Sequence, residues 1–339
     1  MIVTLRSDAD PARVRRELVA RGLWIQPLTG GDGAHVAVSE HSAHVDPDEL
    51  RRIVGVASVS VAPSAHPRVD AQRAVTFGRA QPPSSGSEPA RRSGDDGRIT
   101  LSVGSAPVLM AGPCCVESAE QVERIAAQVA RGGARVLRGG AFKPRTSPYA
   151  FAGHGRAALG WMRDAADRHG LAVVTEAMSS EDAPAVAEVA DLVQVGSRNM
   201  HDYALLRAVA GCGKPVLLKR GMAATVEEWL LAAEHLLVHG ASGVVFCERG
   251  IRSFDPTTRN VLDVGAVALL AHVHGQPVVV DPSHAAGRRD LVPSLARAGL
   301  AAGACGLLVE AHDDAGAALS DGPQAIHPDE LATMCGGTP

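Results

Sequence analysis

Apolar and polar positions change rhythm twice along this chain. Over residues 1–62 the pattern is mixed. Residues 2–5 alternate as a strand, and Asp8 or Asp10 can cap a helix running to about Gly22, with Pro11 in its first turn. Residues 23–28 and 35–38 flank the turn-forming run Thr29-Gly30-Gly31-Asp32-Gly33, which predicts a hairpin. Asp46-Pro47 opens a short helix through Arg52, and residues 56–61 close the unit as a fourth strand.

That βαββαβ order is the ferredoxin-like split unit. It gathers no cluster of chemically useful residues, so a regulatory or assembly role is expected. Residues 79–97 then hold Pro, Ser, Gly and charges without apolar periodicity. Residues 99–103 read as a short strand, part of a hairpin that covers the bottom of the larger domain after it. From Val108 onward, short apolar runs alternate with amphipathic stretches, as in parallel βα units. The predicted strands are 108–111, 135–138, 172–175, 192–195, 215–219, 243–247, 277–280 and 306–309. Eight such units suit a (β/α)₈ TIM barrel. A doubly wound sheet would have fewer strands and a Gly-rich first turn, and Gly153-His154-Gly155 follows no strand. The expected organisation is a ferredoxin-like domain at 1–66, a linker at 67–98 and the catalytic barrel at 99–335.

Composition sharpens this. Hydrophobic residues are 46% of the chain and aromatics 3%, so the core must be built from Ala, Val and Leu. A formal charge of −4 argues against a generic nucleic-acid binder. Of 33 Lys plus Arg, three are lysines (Lys143, Lys214, Lys219), which leaves thirty arginines. A lysine kept in that background points to a compact charge or proton donor. Six cysteines without a charged-then-apolar leader predict a cytoplasmic protein with reduced thiols. No apolar run approaches the roughly 20 residues needed to span a bilayer, so no membrane partner is expected.

The residues able to do chemistry lie just past the predicted strand ends, which converge on one mouth in a barrel. One set is cationic: Arg138, Lys143, Arg145, Arg198, Lys219 and Arg249. Cations facing one cleft repel unless anions occupy it, so a polyanionic ligand or two anionic substrates are expected. One or two should instead be internal ion-pair partners, Arg249 beside Glu248 for instance. The other set, Cys114, His284, Glu310 and Asp321, offers S, N and O donors from separate segments. Any one alone is commonplace. Together they suit a divalent ion of the Mn, Fe, Co or Zn class.

The segments Ala111-Gly112-Pro113-Cys114, Lys143-Pro144-Arg145-Thr146 and Asp281-Pro282-Ser283-His284 resemble type I 3-deoxy-D-arabino-heptulosonate 7-phosphate (DAHP) synthases. The small unit ahead of the barrel resembles the subgroup with an N-terminal ferredoxin-like regulatory domain. The resemblance implies a transferase that condenses phosphoenolpyruvate with erythrose 4-phosphate at the entry to the shikimate pathway. It implies Cys114, His284, Glu310 and Asp321 as metal ligands. Arg138, Lys143, Arg198, Lys219 and Arg249 are implied on phosphoenolpyruvate, and Arg145 with Thr146 on the aldose phosphate. Cys114, His284 and Lys143 are the expected catalytic residues, Lys143 as proton donor. Cys115 stands where the family often has Ser, so it is an alternative thiolate, although the residue directly after Gly-Pro is taken here. Feedback by an aromatic amino acid and a homo-oligomer, dimer or tetramer, are also expected.

Three other readings stand beside this one. One is the related synthase of the eight-carbon sugar acid phosphate, which uses arabinose 5-phosphate and carries a different motif after strand two. Another is a secondary-metabolism synthase taking an amino- or imino-sugar phosphate. The third is a non-catalytic sensor, which loss of a metal ligand would favour.

Overall fold

The computed structural model describes residues 1–28, 34–78, 97–143, 149 and 151–335. The chain forms two compact units, Met1–Ala65 and His66–Pro339.

In the first unit, β1 (Ile2–Leu5), α1 (Pro11–Ala20), β2 (Ile25–Leu28), β3 (His35–Val38), α2 (Pro47–Arg51) and β4 (Val56–Ser60) follow one another. The antiparallel sheet order β2-β3-β1-β4 is that of the ferredoxin-like unit. Both helices start where Asp-Pro predicts: the Asp10 carboxylate accepts from the amides of Ala12 and Arg13, and Asp46 accepts from Asp48 N. Val3, Leu5, Val14, Leu18, Val36, Leu50 and Val59 make a separate core for this unit.

The second unit opens with α3 (Pro67–Ala71) and β5 (Ala74–Phe77). β5 pairs antiparallel with β6 (Ile99–Ser102). The interval expected to be a linker, 67–98, therefore begins as ordered secondary structure; residues 79–96 of it lie outside the described residues. A five-residue helix and a four-residue strand ahead of a low-complexity stretch carry too few periods to stand out.

The barrel strands are β7 (Val108–Gly112), β8 (Val136–Arg138), β9 (Ala172–Glu176), β10 (Leu192–Val195), β11 (Val216–Lys219), β12 (Val244–Glu248), β13 (Val278–Val280) and β14 (Gly306–Glu310). They pair in parallel in chain order, and β14 closes on β7. Strands covered on both faces need continuous apolar runs, which is what Val-Val-Phe and Val-Val-Val supply. Val108, Met110, Val136, Val174, Leu192, Leu217, Val245 and Val279 fill the interior, packed against Val75, Phe77, Ile99 and Leu101 of the β5–β6 hairpin. The hairpin thus plugs the end of the barrel where the strands begin.

Between the strands run α4 (Ala119–Arg131), α5 (Arg156–Arg168), α6 (Ala183–Val189), α7 (Tyr203–Gly211), α8 (Val226–Val238), α9 (Val264–Ala268), α10 (Pro282–Ala286) and α11 (Val292–Ala301). The chain ends its described part in α12 (Ala332–Cys335). α8 starts at a reciprocal Thr225–Glu228 capping box, and its Trp229 is fully buried edge-on against Phe246. Among the described residues no helix is long and apolar enough to cross a membrane.

Candidate active site

At the ends of β7 and β8 the backbone pairing continues past the strands. Cys115 bridges Gly140 in parallel, and Gly140 N donates to Cys114 O at 3.1 Å. Gly140 has no side chain for a reason: a Cβ there would lie 2.7 Å from Lys143 Cε and 2.9 Å from Cys114 O. Its absence lets Lys143 fold back so that Nζ reaches Cys114 Sγ at 3.0 Å. Cys115 points elsewhere, fully buried with Sγ 3.5 Å from Gly140 O, so Cys114 is the thiol at the mouth.

Glu310, the last residue of β14, is the hub of this side. Its Oε1 accepts from Arg138 Nη1 at 3.2 Å and lies 3.3 Å from His284 Nε2, while Oε2 accepts from Gln324 Nε2 at 2.5 Å. Asp321 Oδ2 lies 3.1 Å from Cys114 Sγ. Asp321 has φ 50°, the left-handed region that short polar side chains tolerate and that recurs at functional sites. One ligand atom each from Cys114, Glu310 and Asp321 lie within 4.8 Å of one another, and His284 joins through its contact with Glu310. A thiol and two carboxylates this close, with an imidazole against one of the carboxylates, fit a borderline divalent cation.

His284 also connects to a second group. Asp281, at the head of α10, is 1% exposed. Its Oδ1 accepts from His284 N at 2.9 Å, and its Oδ2 takes both His284 Nδ1 at 2.7 Å and Lys219 Nζ at 2.6 Å. This fixes His284 with Nε2 facing Glu310, the arrangement by which a carboxylate orients a metal-binding imidazole. Beside it is a cleft of about 110 Å³ lined by Ser197, Arg198, Lys219, Arg249, Arg259 and His284 among others. Arg249 Nη1 and Ser197 Oγ are buried there without a hydrogen-bond partner among the described residues. Buried donors in native proteins are nearly always satisfied, so unused donors on two residues of a largely cationic cleft suit an anionic ligand.

Charge is distributed accordingly. Burial pushes the Cys114 thiol up to about 12, with the Glu310 carboxylate adding to the rise. Burial also works against the Glu310 carboxylate, but His284, Arg138 and Lys143 outweigh it and hold the group at about 2. Burial opposes the Lys143 ammonium as well; the neighbouring Cys114 sulfur and Glu310 more than offset this, so Lys143 stays charged. Burial lowers Arg249 despite the nearby Asp281.

Of the expected site residues, Cys114, Lys143, Arg138, His284, Glu310 and Asp321 come together on one side, and Lys219, Arg198 and Arg249 on the other. Arg138 does not line the anion cleft: it is engaged by Pro113 O at 2.8 Å and by Glu310. Arg145 and Thr146 lie outside the described residues. The expectation that Arg249 pairs internally with Glu248 is not met. Arg220 takes that role, at 3.1 Å from Glu248 Oε2 and 2.8 Å from Asp263 Oδ2. Sequence reasoning missed Arg259, whose Nη1 lies 3.5 Å from Asp321 Oδ1 and 3.1 Å from Gln324 Oε1. It also passed over Gln324, and it placed Ser197 past the fourth barrel strand without giving it a role. Arg259 sits in a loop and Gln324 in the short 3-10 turn Gly322–Gln324, neither at a strand end, so position gave no signal.

The DAHP synthetase I family profile matches residues 89–336. A phospho-2-dehydro-3-deoxyheptonate aldolase of Thermotoga maritima is 49% identical over 218 residues, which are 64% of this chain and 64% of that protein. A 2-dehydro-3-deoxyphosphooctonate aldolase of Acidithiobacillus ferrooxidans is 34% identical over 235 residues, covering 64% of this chain and 83% of the relative. Among solved structures, a Thermotoga maritima DAHP synthase superposes with a TM-score of 0.69 at 35% identity, over 98% of this chain and 94% of that one. With most of the barrel matched by the profile and nearly the whole chain by a solved fold, this chain belongs to the DAHP synthetase I family.

Proposed function

We propose that this chain condenses phosphoenolpyruvate with erythrose 4-phosphate to give 3-deoxy-D-arabino-heptulosonate 7-phosphate and phosphate, the first step of the shikimate pathway. The observation that carries the reading is the pairing of two sites through one residue. His284 touches Glu310 of the Cys114–Glu310–Asp321 donor group and also lines the cleft beside Arg249 and Ser197, which keep unused donors among the described residues.

Cys114, His284, Glu310 and Asp321 would hold a divalent ion of the Mn, Fe, Co or Zn class. Bound there, it supplies Lewis-acid polarisation of the aldose carbonyl. Lys219, Arg198 and Arg249 grip the phosphate and carboxylate of phosphoenolpyruvate, and Arg145 with Thr146 takes the aldose phosphate. Holding both substrates turns their encounter into a positioned, near-unimolecular step. As C3 of phosphoenolpyruvate bonds to the aldehyde carbon, the aldehyde oxygen gains charge, and the charged Lys143 ammonium gives it a proton. Water then adds at C2, and phosphate leaves toward Lys219 and the arginines. We place the reaction in the cytoplasm, in a homo-oligomer.

Phosphate release is the test. Turnover with erythrose 4-phosphate should vanish on chelation and return with added divalent ion. Faster release with arabinose 5-phosphate would transfer the assignment to the eight-carbon reaction, and full activity after thorough chelation would remove the metal role.

A further inference from the structure

Away from the mouth, at the end of the barrel where the strands begin, a second group of metal-type donors comes together. His66 caps α3, Asp70 lies one turn on, and His274 follows the π-helical turn Leu269–Val273 that extends α9. One ligand atom from each of these three residues lies within 4.8 Å of the others. We propose that His66, Asp70 and His274 form a binding site for a divalent transition ion of the Zn²⁺ type, separate from the mouth.

Three features support this. Two imidazoles and a carboxylate are the donor chemistry that such ions prefer, with water free to complete the shell. Each ring nitrogen of His66 faces a carboxylate: Nδ1 is 2.9 Å from Asp70 Oδ1, and Nε2 is 3.7 Å from Glu227 Oε2. An ion taken by Nδ1 leaves Nε2 on the side of the Glu227 carboxylate, too far for a direct hydrogen bond but close enough to favour a proton on that nitrogen. The third feature is rigidity. The α3 amides of Arg68 and Val69 donate to the Glu234 carboxylate, at 3.0 and 2.9 Å to Oε2. Gln276, two residues past His274, donates to Val69 O at 2.8 Å and to Gln72 O at 3.2 Å. The donors are therefore held before any ion arrives. The π turn ahead of His274 is a rare form that recurs at functional sites.

The site would be structural. It joins α3, which leads directly into the β5–β6 plug, to the turn before β13. Binding to the folded state alone raises thermal stability by mass action.

The test uses the full-length chain stripped of metal and Zn²⁺ alone as the probe. Equilibrium dialysis should show one more tightly held ion on the parent than on His274→Asn or Asp70→Asn, or at least a roughly tenfold loss of affinity at that site. A Cys114→Ala change should remove a different ion, so that the losses add in the double variant. Zn²⁺ should raise the unfolding midpoint of the parent more than that of either variant. Asp70 is half-buried, so its Asn variant should keep the fold even if His274→Asn does not. Equal Zn²⁺ uptake and equal thermal shifts in parent and variants would overturn the site and leave His66 as an ion-pair partner only.

Discussion

Two buried charges at the mouth, Asp281 and Arg249, answer opposite demands. Asp281 is fully engaged by Lys219 and His284 and is held well below the usual carboxylate range by His284 and Lys219, against the opposing effect of burial. Asp281→Asn keeps the shape but leaves the Lys219 ammonium, 4% exposed, with no carboxylate. Breaking one member of a buried pair typically costs about 3–5 kcal/mol, so a denaturant titration should show a loss of that order. Activity should fall with it, because His284 loses the acceptor that orients its ring. Arg249 is buried, and its Nη1 has no hydrogen-bond partner among the described residues, so its charge is desolvated with little compensation from them. Arg249→Met should therefore leave stability unchanged or raise it by about 1–2 kcal/mol. The same change should raise KM for phosphoenolpyruvate at least about tenfold, as expected when a charge-assisted contact to an anion is lost. Unfolding curves and steady-state kinetics on one preparation decide it: a variant that loses stability but keeps KM would mean that Arg249 serves the fold. These two residues also mark how far the sequence could be read. Their position past a strand end was visible. Which of Arg220 and Arg249 pairs with Glu248 was not, since both flank strand ends and only side-chain direction separates them.

At the scale of elements, legibility followed burial. The barrel strands are covered on both faces, so each is built on Val, Leu or Ala with polar residues mostly at its end, and their observed bounds fall within about a residue of the expected ones. Short elements at the ends were harder. β5 shows Val75 and Phe77 inward and Ala74 and Thr76 outward, only two periods of alternation before residues of no pattern. The donor group at the mouth depends on a feature that no periodicity shows. Gly112, last in β7, has φ 155°, and a Cβ there would lie 2.1 Å from Arg138 O. The close approach of β7 and β8 at their ends is what brings Cys114 beside Lys143. Gly112→Ala must push the strands apart or twist the Pro113-Cys114 turn. A loss of about 2–4 kcal/mol is expected from this overpacking and strain. Divalent-ion affinity should fall in the folded fraction as well. A variant with parental stability and parental ion affinity would show that the strand ends can relax without moving Cys114.

At the scale of the whole molecule, the two units have separate cores, and the dividing line is not where composition changes. The first unit buries Val3, Leu18, Leu50 and Val59 among its own residues, while Val69, Val75 and Phe77 belong to the barrel's clusters. We expect the first unit to carry feedback control by an aromatic amino acid, and truncation can test this only if it respects that line. Removing residues 1–65 should leave a barrel that still turns over erythrose 4-phosphate. Removing residues 1–78 takes α3 and β5 as well, and with them Val69, Val75 and Phe77. Burying each such side chain contributes about 1.5–3 kcal/mol, and the interior beneath the plug would be open to water. The longer deletion should melt well below the shorter one or aggregate, so lost inhibition in it would say nothing about regulation. The informative comparison is the 1–65 deletion against the full chain, each assayed with Phe and with Tyr. Inhibition that disappears while turnover persists supports a control role for the first unit; inhibition that survives places the effector site on the barrel and leaves the first unit a role in assembly.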